Sequence, residues 1–355
     1  MSAQSAGSAA APSAPATTAV SVAEARAIAE AFAATLESNF LFPETATRYA
    51  SALRTKVAAG GYDKAVTREK LADMLTADVQ AIAPDGHLQV FPTAFDFKTP
   101  AKPKTPSAPP PPEVEQMRWI APEVAFVRFN SFLGTPESIE ATRRFVREFG
   151  EARTLILDLR THRGGGLDEM DILLSAVFAK PTRLLMMETR AAIIERDGDP
   201  LAAFPTIKTI PSPADVVRQE HWALPSAEKQ PIARATIYVL TSGATASAGE
   251  HLALALKRTQ RATLVGEPTA GAGHFGDILP LAHGFTTFMP VGRTYDPETG
   301  IDWEGAGVAP DIAITADRAL AETLQLAGIE KVAAEQLSAQ LTPQRPMARR
   351  ARRAF

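Results

Sequence analysis

The earliest regular pattern in the chain is an apolar repeat with helical spacing. Ser21, followed three positions later by Glu24, forms a capping-box signature that predicts a helix start. The apolar residues that then recur at helical spacing are Ala25, Ile28, Ala29, Phe32 and Leu36. Two more helices are predicted over about 43–58 and 67–83, on either side of a Gly-Gly turn. With a short strand-like run after them, these segments predict a small N-terminal helical subdomain over 21–91.

From residue 117 to residue 341 the pattern changes to apolar runs that alternate with helical stretches. The nearly continuous apolar run at 154–159 is typical of a parallel strand that is covered on both faces. The other predicted strands lie at about 124–129, 236–241, 262–265, 285–291 and 311–315. Four helices are predicted in this region. The first begins after Thr135, the second follows the glycines at 164–166, the third spans about 246–257, and the fourth runs from the last strand to about 341. This alternation predicts an α/β core over 117–341 with a parallel-rich sheet.

Three segments lack a periodic pattern and are predicted to flank or connect the ordered parts. Residues 1–20 are small and polar, without the continuous apolar stretch of a secretory signal, which favours a disordered leader. Residues 92–116 are rich in Pro, Lys and Thr and predict a semi-rigid linker. This linker is too short for an inserted peptide-binding domain, which needs upwards of ~50 residues. The basic stretch 342–355 is predicted to be a solvated, frayed tail.

Composition narrows the functional classes. Hydrophobic residues make up 45% of the 355 residues and charged residues 22%, as in ordinary globular proteins. The net charge of -3 provides no broad basic field, so nucleic acid is not predicted as a partner. No apolar run approaches the roughly 20 residues that span a bilayer. Cysteine is absent, which excludes disulfides, thiol catalysis and cysteine-based metal sites, and there is no His-Glu-x-x-His motif. No metal or other cofactor is predicted.

A glycine-rich turn follows the predicted strand at 154–159 and precedes a helix. It runs from Asp158 through His162 to Gly164-Gly165-Gly166. The spacing does not fit a dinucleotide-binding loop, because Glu169 stands where the third glycine of that motif would lie. Backbone N–H groups at a helix N-terminus can bind an anion or a developing oxyanion. The turn therefore predicts an oxyanion-binding loop, and a plain tight strand-to-helix turn is the alternative.

A second turn of small residues, at 240–250, also connects a strand to a helix and contains Ser247. Ser247 falls in the first turn of the following helix, among small side chains that permit close approach of a substrate backbone. The turn is not the nucleophile elbow of the α/β-hydrolases, because Thr245 occupies the position where that motif has glycine. From these residues alone Ser247 is either a nucleophile or a helix-capping serine, and capping is the more common role.

Four motifs, in order along the chain, resemble those of a known family. They are Asp158-Leu159-Arg160 with Arg163-Gly164-Gly165, Thr245-Ala246-Ser247-Ala248-Gly249-Glu250, Gly266-Glu267-Pro268-Thr269 with Gly271 and Gly273, and Trp303-Glu304-Gly305 with Gly307-Val308 and Pro310-Asp311. Across 156–312 the chain resembles the core of the C-terminal-processing (tail-specific) serine peptidases. It resembles in particular the branch that contains tricorn protease and the interphotoreceptor retinoid-binding protein domains, without an inserted PDZ domain. The resemblance implies a ClpP/crotonase-like α/β core, preceded by the small N-terminal helical subdomain.

The resemblance also implies which groups attack and stabilise the substrate carbonyl. Ser247 matches the nucleophile of the family. The backbone N–H of Ala248, with that of Gly164 or Gly165, matches the oxyanion-binding pair. A serine hydroxyl is a poor nucleophile near neutral pH, so this site also needs a general base and a group that orients it.

The base implied by the resemblance is a histidine. In the processing-peptidase branch a lysine serves as base, but Ala272 stands at its position here and excludes a Ser–Lys dyad. The tricorn-like branch uses a histidine from the N-terminal region, which His87 matches, with an acid that Glu304 matches. Asp302 is the alternative acid. Gly86 departs from the branch, which has a serine just before its histidine.

Several further residues are expected to border the cleft. The predicted substrate-binding residues are Gly86, His162, Gly271, Gly273 and His274. His162 also departs from the family, which usually has asparagine there. His251 lies one helical turn after Ser247 and is predicted to pack beside the turn. His221 and His283 are predicted to be surface or turn residues.

The predicted function is hydrolysis of peptide bonds in a polypeptide substrate by a Ser-His-Glu serine peptidase that forms an acyl-enzyme. A catalytically weak or inactive relative that binds a hydrophobic ligand or peptide is the first alternative. A crotonase-type acyl-CoA enzyme, which uses an oxyanion hole without a serine nucleophile, is the second. Family habit and the Ala/Ser/Pro leader imply a periplasmic or otherwise extracytoplasmic location. No pattern in the sequence specifies the cleavage preference or the oligomeric state.

Overall fold

The computed structural model describes residues 19–64, 67–93, 111–227 and 231–348. Most of the predicted leader, the greater part of the predicted linker and the end of the predicted tail lie outside these residues. Within the four described ranges, no helix is both long enough and apolar enough to cross a bilayer.

Helices open the chain, and strands and helices alternate after them. The elements are α1 (Val22–Asn39), α2 (Pro43–Ala58), α3 (Arg68–Gln80), β1 (Gln89–Phe91), β2 (Val114–Ala121), β3 (Val124–Phe129), α4 (Pro136–Phe149), β4 (Thr154–Asp158), α5 (Asp168–Val177), β5 (Thr182–Arg190), α6 (Ala191–Asp197), β6 (Ile207–Ile210), β7 (Val216–Ala223), β8 (Thr236–Thr241), α7 (Ala248–Arg258), β9 (Thr263–Gly266), β10 (His274–Pro280), β11 (Thr286–Tyr295), β12 (Ile312–Ala313), α8 (Ala319–Leu326) and α9 (Lys331–Gln340).

The first sheet is the core of the α/β region and has the strand order β12-β9-β8-β4-β3-β2. Its pairs from β12 to β3 are parallel, and β2 joins antiparallel at the edge. On β4, Leu155 and Leu157 pack in the cluster that contains α4, α5 and α7, whereas Ile156 packs with α8 and α9. Burial on both faces explains the continuous apolar run in this strand. The predicted α/β fold with a parallel-rich sheet is confirmed.

The second sheet is antiparallel and supports the N-terminal helices. Its order is β1-β11-β5-β7-β6, with β10 paired to β11. Phe32 of α1 and Leu75 of α3 share one buried cluster with Phe285 and Met289 at β11. Ser21 caps α1 through the predicted capping box. This packing brings the turn at 85–87, between α3 and β1, against the later part of the chain.

Four parts of the fold differ from the prediction, and one of them is β10 (His274–Pro280), where no strand was predicted. Strand β2 begins at Val114, inside the predicted linker, because an edge strand of mostly half-exposed residues leaves no continuous apolar run. No element was predicted over 180–235, where β5, α6, β6 and β7 lie. The final helix is divided into α8 and α9 near Gly328. The other predicted helices and strands are confirmed to within about four residues.

Candidate active site

Ser247 lies where β8 leads into α7, immediately before the helix. Its φ of 53° and ψ of -116° hold a non-glycine residue in a sparsely populated backbone region. The residue is half-buried and is the N-cap of α7, so it also occupies the capping position that the sequence left open. A strained strand-to-helix turn of this kind keeps a serine hydroxyl out of the helix body. The local backbone therefore fits a nucleophile as well as the sequence motif does.

The buried carboxylate of Glu250 holds the Ser247 turn in place. Its Oε2 accepts the N–H of Ser247 at 2.8 Å and that of Ala272 at 2.9 Å. Its Oε1 accepts the hydroxyl of Thr269 at 2.6 Å and the N–H of Gly271 at 2.7 Å. Burial raises the pKa of Glu250, and these hydrogen bonds oppose the rise. No role for Glu250 was predicted from the sequence, although the Ser-x-x-Glu spacing is a capping signal that indicates one.

The glycine-rich loop approaches Ser247 directly. Gly164 has a φ of +108°, and a Cβ added there would lie 2.9 Å from Cβ and 3.3 Å from Oγ of Ser247. Phe132 fixes the loop from the other side, because its N–H donates to the oxygen of Gly164 at 2.9 Å and its oxygen accepts the N–H of Gly166 at 2.6 Å. The structure therefore brings the predicted oxyanion loop and the predicted nucleophile together.

The amides of the predicted oxyanion-binding pair differ in their availability. The N–H of Gly164 donates to Nδ1 of His162 at 3.1 Å. The N–H groups of Ala248 and Gly165 have no hydrogen-bond acceptor in the part of the chain that the structure describes. Of the two glycines that the sequence left open, Gly165 is thus the one whose amide is free to pair with that of Ala248.

His162 was expected to bind substrate, but its ring is fully buried behind the loop and does not face solvent. Burial lowers its pKa to about 3, so the ring is neutral. Its Nε2 has no partner among the described residues. The ring packs edge-on against Phe132, 4.3 Å between centroids, and leaves no room for a side chain at Gly249.

His87 lies in the turn between α3 and β1. Its backbone N–H donates to Oδ1 of Asp85 at 2.8 Å, and its ring stacks on Phe288 with 5.0 Å between centroids. The Nδ1 atom is buried and has no partner among the residues described. Burial lowers the pKa of His87, the charge of Asp85 opposes this and that of His274 adds to it. A neutral imidazole is the form that a general base requires.

Glu304 binds backbone amides rather than the imidazole of His87. Its Oε1 accepts the N–H of Gly86, and its Oε2 accepts those of Gly273 at 2.7 Å and His274 at 3.2 Å. Within the described ranges no hydrogen bond joins Glu304 to the ring of His87. Burial raises the pKa of Glu304, and the charge of Asp85 raises it further. The expected carboxylate–imidazole contact is therefore missing in this conformation.

His274, expected to contact substrate, is buried among carboxylates at the start of β10. Its Nδ1 lies 2.6 Å from Oδ2 of Asp85 and 4.0 Å from Oε2 of Glu304, and its Nε2 lies 3.8 Å from Oδ2 of Asp302. Burial opposes its protonation, but Asp302, Asp85 and Glu304 outweigh burial and raise the pKa of His274 to about 10.

The remaining histidines divide into a buried pair and an exposed residue. His221, predicted to lie at the surface or in a turn, is fully buried on β7, so that prediction is wrong. Its Nδ1 lies 2.8 Å from Nε2 of His251, and its Nε2 lies 2.8 Å from Oδ1 of Asp171. His251 is buried beside the Ser247 turn, as predicted, and its backbone N–H donates to the oxygen of Ser247 at 2.9 Å. His283 occupies an exposed turn, also as predicted.

Two family models match adjoining parts of the chain. The model described as "Peptidase family S41" matches residues 123–314. The model described as "N-terminal domain of Peptidase_S41 in eukaryotic IRBP" matches residues 17–124. Together the two matches run from α1 to β12.

Curated relatives with sequence similarity are processing peptidases. "Carboxyl-terminal-processing peptidase 1, chloroplastic" of Arabidopsis thaliana is 27% identical over 190 residues, which are 53% of this chain and 33% of that protein. The "Carboxyl-terminal-processing protease" of Picosynechococcus sp. is 40% identical over 86 residues, which are 24% of this chain and 20% of that protein. The chain thus spans about a third or less of the length of these relatives.

Solved structures with a similar fold cover most of the chain. A lipoprotein from Streptococcus agalactiae has a TM-score of 0.51 at 15% identity, over 86% of this chain and 97% of that one. Tricorn protease has a TM-score of 0.50 at 14% identity, over 90% of this chain and 37% of that one. At such identities the likeness concerns the fold alone.

Proposed function

The chain belongs to peptidase family S41, and from this membership we propose that it is a serine peptidase that hydrolyses peptide bonds through an acyl-enzyme. One observation carries the proposal. The strained Ser247 faces Gly164 across a contact too close for any side chain, beside the free N–H of Ala248. A hydroxyl and an unused amide at one helix N-terminus are what attack on a carbonyl requires.

In the proposed reaction His87 accepts the hydroxyl proton as Oγ of Ser247 attacks the carbonyl carbon of the scissile bond. The C–N bond then breaks, the amine leaves with the proton from His87, and the acyl group remains on Oγ. Water attacks the acyl carbon with His87 again as base, the bond from that carbon to Oγ breaks, Oγ takes back the proton from His87, and the new carboxylic acid departs. The N–H groups of Ala248 and Gly165 donate to the oxyanion in both halves of the reaction.

This mechanism needs the ring of His87 within hydrogen-bond reach of Ser247. Among the described residues no hydrogen bond joins them, and the ring of His87 rests on Phe288. Catalytic hydrogen bonds are often long before substrate binds. We therefore propose that substrate binding brings the ring of His87 within reach of Ser247, and that the relative position of the N-terminal helical region and the core controls turnover.

Glu304 supports His87 through the backbone in this account. Its carboxylate accepts the N–H of Gly86, the residue before His87, and is fixed on its other oxygen by two further amides. A negative charge held there stabilises the imidazolium that forms during attack, without a direct hydrogen bond. Because Gly86 has no side chain, no hydroxyl is available to bridge the acid and the histidine.

The same arrangement favours one second candidate, a weak or inactive relative that binds a peptide or hydrophobic ligand. A site without strong turnover would contain a histidine with no acid beside it. Here Nδ1 of His87 has no partner among the described residues, and the carboxylate of Glu304 binds backbone amides instead. The crotonase-type alternative finds no comparable support in the contacts around Ser247.

Digestion of an unstructured polypeptide tests the proposal. Wild-type protein and Ser247→Ala are incubated with it, and new termini are identified by mass spectrometry. We expect cleavage by the wild type and none by the variant. Binding of the polypeptide by both proteins without cleavage would favour the second candidate, and thioester hydrolysis that survives Ser247→Ala would favour the crotonase type.

The relatives' names suggest C-terminal processing and, for the plant proteins, chloroplasts. For this chain a preference for free C-termini and an extracytoplasmic location are proposals. A substrate pair that differs only by amidation of its C-terminus tests the first. Fractionation of cells that express the native gene tests the second.

A further inference from the structure

His274 joins two parts of the chain that are remote in sequence. Its partner Asp85, at 2.6 Å, lies in the turn that carries His87. Its other two carboxylate neighbours, Asp302 and Glu304, lie in the loop after β11. The imidazole therefore links the His87 turn to the Glu304 loop, as the carboxylate of Glu304 also does through the N–H of Gly86.

The carboxylates around His274 need a cation between them. Asp85 is itself buried, its Oδ1 accepts the N–H groups of His87 and Leu88, and only Oδ2 faces the histidine. Two further carboxylates, each within 4.0 Å of a ring nitrogen of His274, would repel Asp85 if the imidazole were neutral. Burial alone would raise the pKa of Asp85, yet the hydrogen bond and charge of His274 and the amide of His87 hold it below its usual value.

From this geometry we propose that His274 is a positioning residue for His87. As an imidazolium among three carboxylates, it ties the Asp85–His87 turn to the core and offsets the negative charge beside the base. This role rests on the proposed function, because it assigns His87 as the base whose behaviour His274 sets. It replaces the expectation that His274 contacts substrate.

Among the described residues, the charged groups near this pair belong to three segments. The turn at 85–87 contributes Asp85, the loop after β11 contributes Asp302 and Glu304, and β11 itself contributes Arg293, whose Nη1 lies 3.5 Å from Oδ2 of Asp302. The rings of Phe42 and Phe288, which pack on His274 and His87, carry no charge. Loss of the His274 imidazolium therefore leaves Asp85 as the dominant charge acting on His87, and the negative charge of Asp85 favours protonation of the His87 ring.

A metal ion is the other occupant that such a cluster could hold. Asp85, His274 and Glu304 bring ligand atoms within 4.8 Å of one another. Each carboxylate oxygen involved already accepts an N–H, and the imidazole needs its own proton to face Asp85. The three side chains therefore fit a protonated imidazole better than a metal ion. The experiment below also measures metal binding.

The test compares a neutral and a charged replacement of His274. His274→Gln keeps a donor for Asp85 but removes the charge, His274→Lys keeps the charge, and the exposed His283→Gln is the matched control. Imidazole NMR signals of the six histidines, assigned through these variants and His87→Gln, give the titration of each ring directly. Zn²⁺ is added to the wild type in a separate titration.

We expect the wild-type His274 ring to stay protonated above pH 9. In His274→Gln the titration of His87 should move upward by about one pH unit, as expected when a unit charge is removed from a partly buried site. Turnover in that variant should fall about tenfold near pH 6 while its high-pH plateau stays within about threefold. His274→Lys and His283→Gln should titrate at His87 like the wild type.

A His274 ring that loses its proton near pH 6.5 overturns the proposal, whether or not either variant folds. So does an unmoved His87 titration in folded His274→Gln, which would leave His274 a purely structural residue. Stoichiometric Zn²⁺ binding at neutral pH that shifts the His274 signals would assign the cluster to a metal instead. The NMR titration does not depend on turnover. A failure of the peptidase proposal would therefore appear separately, in the digestion experiment, as a polypeptide substrate that remains uncleaved.

Discussion

The backbone N–H of Ser247 donates to Oε2 of Glu250 at 2.8 Å, so the candidate nucleophile is fixed by an acid three residues later on its own helix. The same carboxylate accepts three donors from residues 269–272. Two separate loops thus meet on one buried side chain. The position of Ser247 depends on Glu250 at least as much as on the strand and helix that flank it.

Glu250→Ala should lower both stability and activity. Four donors would lose their acceptor, and buried unsatisfied polar groups cost about 1–3 kcal/mol each, so we expect the free energy of unfolding to fall by about 3 kcal/mol or more. Turnover should fall at least tenfold because the Ser247 turn loosens. Urea unfolding measures the first effect. The control is Glu335→Ala at an exposed position of α9, which should change stability by less than about 0.5 kcal/mol. An equally small effect of Glu250→Ala would contradict the role of Glu250 in holding the Ser247 turn.

Gly164→Ala should abolish activity with little effect elsewhere. The new Cβ would lie 2.9 Å from Cβ of Ser247 and would also need a φ of +108°. We expect kcat/KM to fall about 100-fold or more. Gly198→Ala is the control, because Gly198 also has a positive φ, +84°, but a Cβ there meets nothing within 4 Å. Equal losses of activity in the two variants would show that backbone strain, rather than contact with Ser247, is responsible.

Stability at high pH should depend on His274. Its pKa is raised to about 10, against 6.5 for the free side chain, so above pH 6.5 the folded state holds a proton that the unfolded state has released. The resulting stability is complete below pH 6.5 and is lost as pH rises to about 10. We expect the wild type to lose up to about 5 kcal/mol more than His274→Gln across this window in urea titrations. Parallel curves for the two proteins would contradict the raised pKa.

Stability at low pH should depend on His251. Burial, with the charge of His221, holds the pKa of His251 well below 6.5. Below pH 6.5 the unfolded state therefore binds a proton that the folded state refuses, and stability falls with pH. His251→Gln should reduce this slope by up to about 1.4 kcal/mol per pH unit, whereas His283→Gln should not. The fully buried His162 contributes in the same direction, so part of the slope remains in His251→Gln.

Periodicity predicted the elements that bury a continuous apolar face and missed those that do not. The run at 154–159 became β4 because both its faces are covered. Strand β7 was missed because two of its three buried residues, Gln219 and His221, are polar, so no apolar alternation marks the strand. The meeting of Ser247 with the glycine-rich loop followed from two strand-to-helix turns on neighbouring parallel strands, β4 and β8.

The roles of the histidines could not be predicted from spacing, because their partners are remote in sequence. Asp85 and His274 are 189 positions apart, and His221 and His251 come from a strand and a helix that no local pattern connects. The resemblance supplied Ser247, His87 and Glu304 as a set. It did not indicate that the carboxylate of Glu304 would be occupied by three amides, which depends on how two loops pack.

The most direct test of the account is covalent labelling with a fluorophosphonate, followed by peptide mapping, in wild type, His87→Ala and His283→Ala. If Ser247 is a nucleophile activated by His87, the adduct lies on Ser247, fades at least tenfold in His87→Ala and persists in His283→Ala. Absence of an adduct on Ser247 in folded protein, or equal labelling of all three proteins, would contradict an activated Ser247 and the peptidase mechanism built on it.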